Sequence, residues 1–348
     1  MNYKMVLFTM GRVVLLEAAL LVLPMAVSLL YGEKCALSFA LTILVALAVG
    51  FLLTKLCRGE HGSSSIKDGF MIVALTWIML SAIGALPFVF SREIPLYVDA
   101  FFETVSGFTT TGATILPDVE ALSRGMLFWR SFTHWIGGMG ILVFVVMLLK
   151  TPDRSINILK AEMPGPTVDK LAPKSKDTAR ILYLLYMALT VLEIVFLLLG
   201  GMSLFDSVVH ALSTAGTGGF GAYNASAANF SPYIQWVLTA FMFLFGVNFN
   251  LYYLLLLKRG TELLRNTELK VYVGIVLVSV AAITIDILPL YQSLSVSLRQ
   301  AAFQVTSIMS TTGFITADFT VWSPLSKMVL LMLMFVGGCA GSTAGGLK

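Results

Sequence analysis

Residues 97–114 read YVDAFFETVSGFTTTGAT, and the pattern returns twice, as LFDSVVHALSTAGTGGFG at 204–221 and LRQAAFQVTSIMSTTGFI at 298–315. Aligned without gaps, Ser106, Ser213 and Ser307 coincide, then Thr110, Thr217 and Thr311, then Gly112, Gly219 and Gly313. One glycine recurs easily by chance, but Ser-x3-Thr-x-Gly in three matching places marks an internal repeat. Each copy opens as a partly apolar stretch too short to cross a bilayer and closes in a Thr/Gly-rich run. Such a segment reads as a re-entrant half-helix plus loop, tolerated at membrane depth only where protein or a water-filled cavity covers its backbone.

The surrounding chain is built for lipid. Of its 348 residues, 57% are hydrophobic and 12% charged, with a mean hydropathy of +0.88; a soluble domain carries roughly 25% charged residues. Crossing ~30 Å of hydrocarbon takes about 20 residues, and apolar runs near 11–31, 35–56, 68–90, 124–149, 179–202, 232–257, 270–290 and 324–340 meet that need. The first run is not a signal peptide, because it is long, holds Glu17, lacks a small-x-small site and leads straight into a second span. The three copies fall in the connections 90–124, 203–231 and 291–323.

The expected fold is therefore an all-α integral membrane protein of repeated span–half-helix–loop–span units, preceded by two extra transmembrane helices. Its divisions are 1–66 (two helices), 67–150 (first unit), 151–178 (cytoplasmic connector), 179–260 (second unit) and 261–348 (third unit, with a shortened inner helix).

Basic residues orient these spans. Lys4, Arg12, Lys55, Arg58 and Lys67 fall on one side, together with Lys150, Arg154, Lys160, Lys170, Lys174, Lys176 and Arg180 of the connector, then Lys258, Arg259, Arg265, Lys270 and Lys348. The other side keeps only Lys34, Arg92, Arg124, Arg130, Arg299 and Lys327. The first side, with the N-terminus, is the cytoplasm. The connector also suits contact with anionic lipid.

No GxxxxGK[ST], HExxH or GxSxG motif occurs, and no paired acidic, Cys/His or Ser/His set lines the spans, so an enzyme is not expected. Cys35, Cys57 and Cys339 show no metal-ligand spacing and read as membrane-packing residues. Nothing calls for a cofactor or for nucleic acid.

The loops suit a monovalent cation. Backbone carbonyls can replace an ion's water shell, and glycine reaches the positive-φ conformations that turn successive carbonyls to one axis. The preceding half-helix sets its negative dipole end nearby. No Asp or Glu ring marks a divalent site.

At these residues the chain resembles the Trk/Ktr potassium transporter family, its Trk branch in particular. SGFTTTGAT, STAGTGGFG and SIMSTTGF are similar to that family's first three selectivity-filter loops. RSFTHWIGGMGILV (130–143) resembles the first post-filter helix, AEMPGP (161–166) the cytoplasmic connector and FVGGCAGSTAGGLK (335–348) the glycine-rich break in the third post-filter helix. The resemblance implies that the repeated units are of potassium-channel type, with potassium as the transported ion and filter positions at Thr110, Thr111, Gly112, Thr217, Gly218, Gly219, Thr311, Thr312 and Gly313. In the second loop Gly218 replaces the threonine at Thr111 and Thr312, so the pore need not be symmetric.

The resemblance also implies an intramembrane gate at Gly337, Gly338, Gly341, Ser342, Thr343, Gly345 and Gly346. It implies a homodimer in the bacterial inner membrane and a cytoplasmic nucleotide-binding regulatory subunit. A run of glycine and small residues at that depth holds a straight helix poorly in any case. Such a pore takes four repeats about its axis, and this sequence supplies three before Lys348. The chain is accordingly expected to be an incomplete product or partial reading frame that does not seal a pore alone.

Other polar residues in the spans carry two readings each. Glu17, Glu193 and Asp286 are costly in lipid and are transport candidates by default, against a structural hydrogen bond. His134 and His210 lack partners at ligand spacing and read as packing or hydrogen-bonding residues. Gly137, Gly138 and Gly140 read as close-packing positions. Two alternatives to a potassium pathway stay open: a secondary transporter of another cation or small solute with broken helices at midplane, and a non-conducting fragment. Channel-like and H⁺- or Na⁺-coupled transport are not separated.

Overall fold

The computed structural model describes residues 3–57, 66–140, 175–257 and 259–347. Most of the basic connector with its AEMPGP run, the end of the fourth span beyond residue 140, residues 58–65, Lys258 and Lys348 lie outside the described residues. The helices form two compact units, 1–180 and 181–348.

In the first unit, α1 (Tyr3–Leu20) and α2 (Val22–Leu30) make one 28-residue apolar span, with α3 (Ala36–Leu56) packed along it. Their crossing is tight: a Cβ built on Gly11 would lie 3.0 Å from the Gly50 carbonyl oxygen, and one on Gly50 would lie 3.0 Å from that of Gly11. Helices in lipid gain no hydrophobic drive from meeting each other, so close backbone approach supplies the dispersion contact. Next come α4 (Ile66–Gly84) and α5 (Leu86–Ser91), then the half-helix α6 (Tyr97–Phe108) and α7 (Arg124–Gly138). Phe108, the last residue of α6, packs edge-on against Trp129 of α7, with ring centres 5.9 Å apart. The Trp129 indole N–H donates to the Gly84 carbonyl at 2.9 Å, so no polar atom of that ring is left bare.

The second unit takes up α8 (Ser175–Leu199) from residue 181, then α9 (Leu204–Ala215), α10 (Pro232–Phe245), α11 (Phe249–Leu256) and the short α12 (Gly260–Arg265). α13 (Thr267–Tyr291), α14 (Leu294–Met309) and α15 (Pro324–Val336) complete it. Its core joins Val276, Ile283 and Ile287 of α13 to Ala301, Val305 and Met309 of α14 and to Leu330 and Leu333 of α15. Val278 and Ile285, on another side of α13, are 70% and 73% exposed. A stripe of that kind is costly in water and suited to lipid.

Among the described residues five helices are long and apolar enough to cross a membrane, six if the bent pair α10–α11 is one span. That pair corrects the sequence reading of a continuous span at 232–257, because the two helices meet at 89°. Gly246 ends α10, and Asn248 starts α11 by accepting the Asn250 N–H on its side chain at 2.9 Å. Hydropathy runs on across the break, so only those residues betray it. The run read at 324–340 likewise stays helical only to Val336.

Candidate functional site

The three half-helices α6, α9 and α14 end in the same way. Thr110, Thr217 and Thr311 adopt φ of 54°, 53° and 59°, and two residues on Gly112, Gly219 and Gly313 adopt 73°, 78° and 85°. The threonine N–H groups donate to Gly107, Thr214 and Ile308, three residues back, at 3.1, 2.9 and 3.0 Å. The next N–H groups, of Thr111, Gly218 and Thr312, donate five residues back to Ser106, Ser213 and Ser307 at 2.9, 3.0 and 2.9 Å. This is a Schellman close, whose left-handed residue is ordinarily glycine. A β-branched residue there costs about 1–3 kcal/mol, and it recurs three times. The carbonyls of the three aligned serines accept the closing bonds, and the threonines hold a strained conformation that the sequence reading gave to the glycines alone.

Side chains brace two of the loops. The Thr109 and Thr111 hydroxyls are 2.8 Å apart, and so in the third loop are Ser310 and Thr312, at 2.7 Å. The second loop has glycine at both places, Gly216 and Gly218. In the second unit two loops abut: a Cβ on Gly219 would fall 1.9 Å from the Thr312 carbonyl oxygen. Only a hydrogen fits there, which places a main-chain oxygen of the third loop hard against the second.

The Gly-rich segment after α15 is a closed loop. Gly337, Gly341 and Gly346 have φ of 68°, 73° and 105°, and a Cβ on Gly337 would lie 2.5 Å from the Gly346 Cα. Gly338 N–H donates to the Gly345 carbonyl at 3.1 Å, and the Ser342 hydroxyl to that of Cys339 at 2.6 Å. Both left-handed threonines of the unit's loops reach it. The Thr217 hydroxyl lies 2.9 Å from the Thr343 carbonyl and 2.7 Å from that of Gly216, and the Thr311 hydroxyl accepts the Gly345 N–H at 2.8 Å.

The loop also completes the broken helix. Cys339 N–H donates to the Gly246 carbonyl at 2.9 Å, the Thr343 hydroxyl to that of Phe245 at 3.2 Å, and Phe249 N–H to the Gly341 carbonyl at 3.0 Å. An α-helix interrupted at 246–248 leaves such groups without i→i+4 partners, and buried backbone groups must be paired. From the start of α13, the Glu268 carboxylate accepts the Ala340 N–H at 2.6 Å.

In the first unit the half-helix carries a buried ion pair. Arg130 of α7 meets Glu103 of α6 at 2.7 Å, with both side chains almost wholly buried. Glu103 also accepts the Thr114 hydroxyl at 2.9 Å and the Ile115 N–H at 3.1 Å, which ties down the chain just past Gly112. Gly137 of α7 admits the half-helix end: a Cβ there would be 2.0 Å from the Phe108 carbonyl oxygen. Before α6, burial pushes the Glu93 carboxyl up, opposed by the Ser123 N–H and hydroxyl that donate to it.

The remaining candidates are dispersed. Glu17 is buried near Gly84 with no hydrogen-bond partner. Glu193 is buried beside Thr214. Asp286 accepts the hydroxyls of Ser323 and Ser326 at the start of α15. Among the described residues no His/Cys/Asp/Glu group is arranged to hold a metal. Sequence reading missed the Glu103–Arg130 pair, whose spacing of 27 residues carries no local signal. It also missed serines at the start of every post-loop helix, Ser123, Ser231 and Ser323, which were available as a further element of the repeat.

Residues 36–348 match the model of the family described as "TrkH: Cation transport protein". The Trk system potassium uptake protein TrkH of Salmonella typhimurium is 39% identical over 355 residues, covering 100% of this chain and 74% of that protein. Its namesake in Escherichia coli K12 is 38% identical with the same coverage. The crystal structure of the potassium transporter TrkH from Vibrio parahaemolyticus superposes with a TM-score of 0.87 at 31% identity, over 99% of this chain and 72% of that one.

Proposed function

This chain belongs to the TrkH family of cation transport proteins, and from that premise we propose that it carries potassium ions across the bacterial inner membrane, with its N-terminus in the cytoplasm. It is an integral membrane transport protein and not an enzyme. The ion is selected at Thr110–Gly112, Thr217–Gly219 and Thr311–Gly313, where main-chain carbonyls replace part of its water shell. The Gly-rich loop from Gly337 to Gly346 closes the pathway, with Gly338, Gly341, Ser342, Thr343 and Gly345 forming the barrier. The units run as read from the sequence, with two leading helices at 1–66 and repeats at 67–150, 179–260 and 261–348 about the connector 151–178. The working protein is a homodimer in lipid and takes a TrkA-like nucleotide-binding regulatory subunit on its cytoplasmic side.

The observation that carries this reading is the alternation of left-handed threonine and glycine in all three loops. Alternating handedness turns consecutive carbonyls toward one side of the strand, as ligation of a bare cation demands. The three loops carry no carboxylate, which suits a monovalent ion that must bind weakly enough to leave. Growth of uptake-deficient bacteria at limiting potassium tests the function. The full-length protein restores growth if it conducts potassium, and no rescue by a membrane-inserted protein sinks the reading.

A further inference from the structure

Three residues before each aligned serine, the half-helices carry Glu103, His210 and Gln304, all at most 1% exposed. Two of them bond the chain just past their own loop's glycine: Glu103 holds Thr114 and Ile115, and the Gln304 amide donates to the Thr316 hydroxyl at 3.4 Å. His210 stands in the same register in the second half-helix. Its Nδ1 lies 2.8 Å from the Asp206 carbonyl oxygen. A carbonyl only accepts, so Nδ1 carries the hydrogen and Nε2 presents a lone pair. That Nε2 is buried and has no hydrogen-bond partner, an exception that calls for a reason in any folded protein. It faces the second loop: the nearest atom to a Cβ built on Gly221, two residues past Gly219, is His210 Nε2 at 3.5 Å.

The ring also reaches the third loop. It lies 5.7 Å from the ring of Phe314, which directly follows Gly313, and is wedged edge-on against Phe230 at 5.0 Å and stacked on Tyr223 at 6.2 Å. The second loop is the one without a hydroxyl clasp, because Gly216 and Gly218 stand where the others carry paired hydroxyls.

We propose that His210 is a specificity-determining positioning residue. Its Nε2, which has no hydrogen-bond partner in this structure, is an acceptor that faces the second loop where the hydroxyl clasp is missing. The inference rests on the potassium reading above.

The test is competition between rubidium tracer and sodium for uptake through the full-length protein in uptake-deficient cells. His210→Leu keeps bulk and loses both nitrogens, and it lowers rubidium-over-sodium discrimination by about fivefold, the effect of one buried polar contact. His210→Gln, which places at this register the amide found at Gln304, keeps discrimination near the parent value. Gly221→Ala adds a methyl at ordinary contact distance over Nε2 and leaves the histidine in place. It lowers discrimination severalfold by itself and adds nothing on top of His210→Leu, as coupled neighbours do.

If His210→Leu does not reach the membrane, the Gly221→Ala result decides alone. Unchanged discrimination in Gly221→Ala, or variants that lose total uptake at constant discrimination, overturns the proposal and leaves His210 as packing. A parent protein that takes up no rubidium overturns the potassium reading instead, before any variant is compared.

Discussion

The Thr217 hydroxyl sits 2.9 Å from the Thr343 carbonyl oxygen, so a residue at the left-handed turn of the second loop is bonded to the Gly-rich loop after α15. Thr311 makes the matching contact in the third loop by accepting the Gly345 N–H at 2.8 Å. The proposed selecting and closing elements therefore share hydroxyls, and the strained φ of both threonines is offset by bonds that glycine at the same place could not make.

Thr311→Val is isosteric and equally β-branched, so it leaves the backbone preference alone and removes only the hydroxyl. A net loss of about 1 kcal/mol from the closed loop raises resting open probability about fivefold in single-channel recordings. Thr311→Ser keeps the acceptor and stays near the parent value.

Deleting residues 338–345 joins positions that already touch, since a Cβ on Gly337 would lie 2.5 Å from the Gly346 Cα. The deletion leaves α15 intact and raises basal rubidium uptake by removing the barrier. Equal or lower uptake by a correctly inserted deletion variant argues against a gate there.

The Glu103–Arg130 pair predicts a stability pattern. Removing one partner strands a buried charge and costs about 3–5 kcal/mol, whereas removing both is often close to neutral. Glu103→Leu should lower the thermal midpoint of the detergent-solubilised protein strongly, and Glu103→Leu with Arg130→Met should recover most of it. Additive losses in the double variant contradict a coupled pair.

Composition, spans and the threefold Ser-x3-Thr-x-Gly pattern were legible because each is carried by local residue type and spacing. The conformation of Thr110, Thr217 and Thr311 was not, since β-branched residues avoid positive φ, and the hydroxyl contacts that accompany it at Thr217 and Thr311 reach residues 126 and 34 positions away. The break at Gly246–Asn248 hid inside continuous hydropathy, its freed carbonyls visible only once Cys339 and Thr343 are seen to fill them. His210 looked like packing because its meaning lies in register with Glu103 and Gln304, one step beyond the residues that defined the repeat.

Gly219 offers the most direct measurement, because any side chain there meets the Thr312 carbonyl oxygen, 1.9 Å from the Cβ position. Rubidium and sodium uptake should be compared between the full-length protein and its Gly219→Ser variant, matched for amount in the membrane. The account predicts that the parent takes up rubidium in the presence of excess sodium and that Gly219→Ser admits sodium as well. An unchanged rubidium-to-sodium ratio in an equally active variant would contradict selection by these carbonyls.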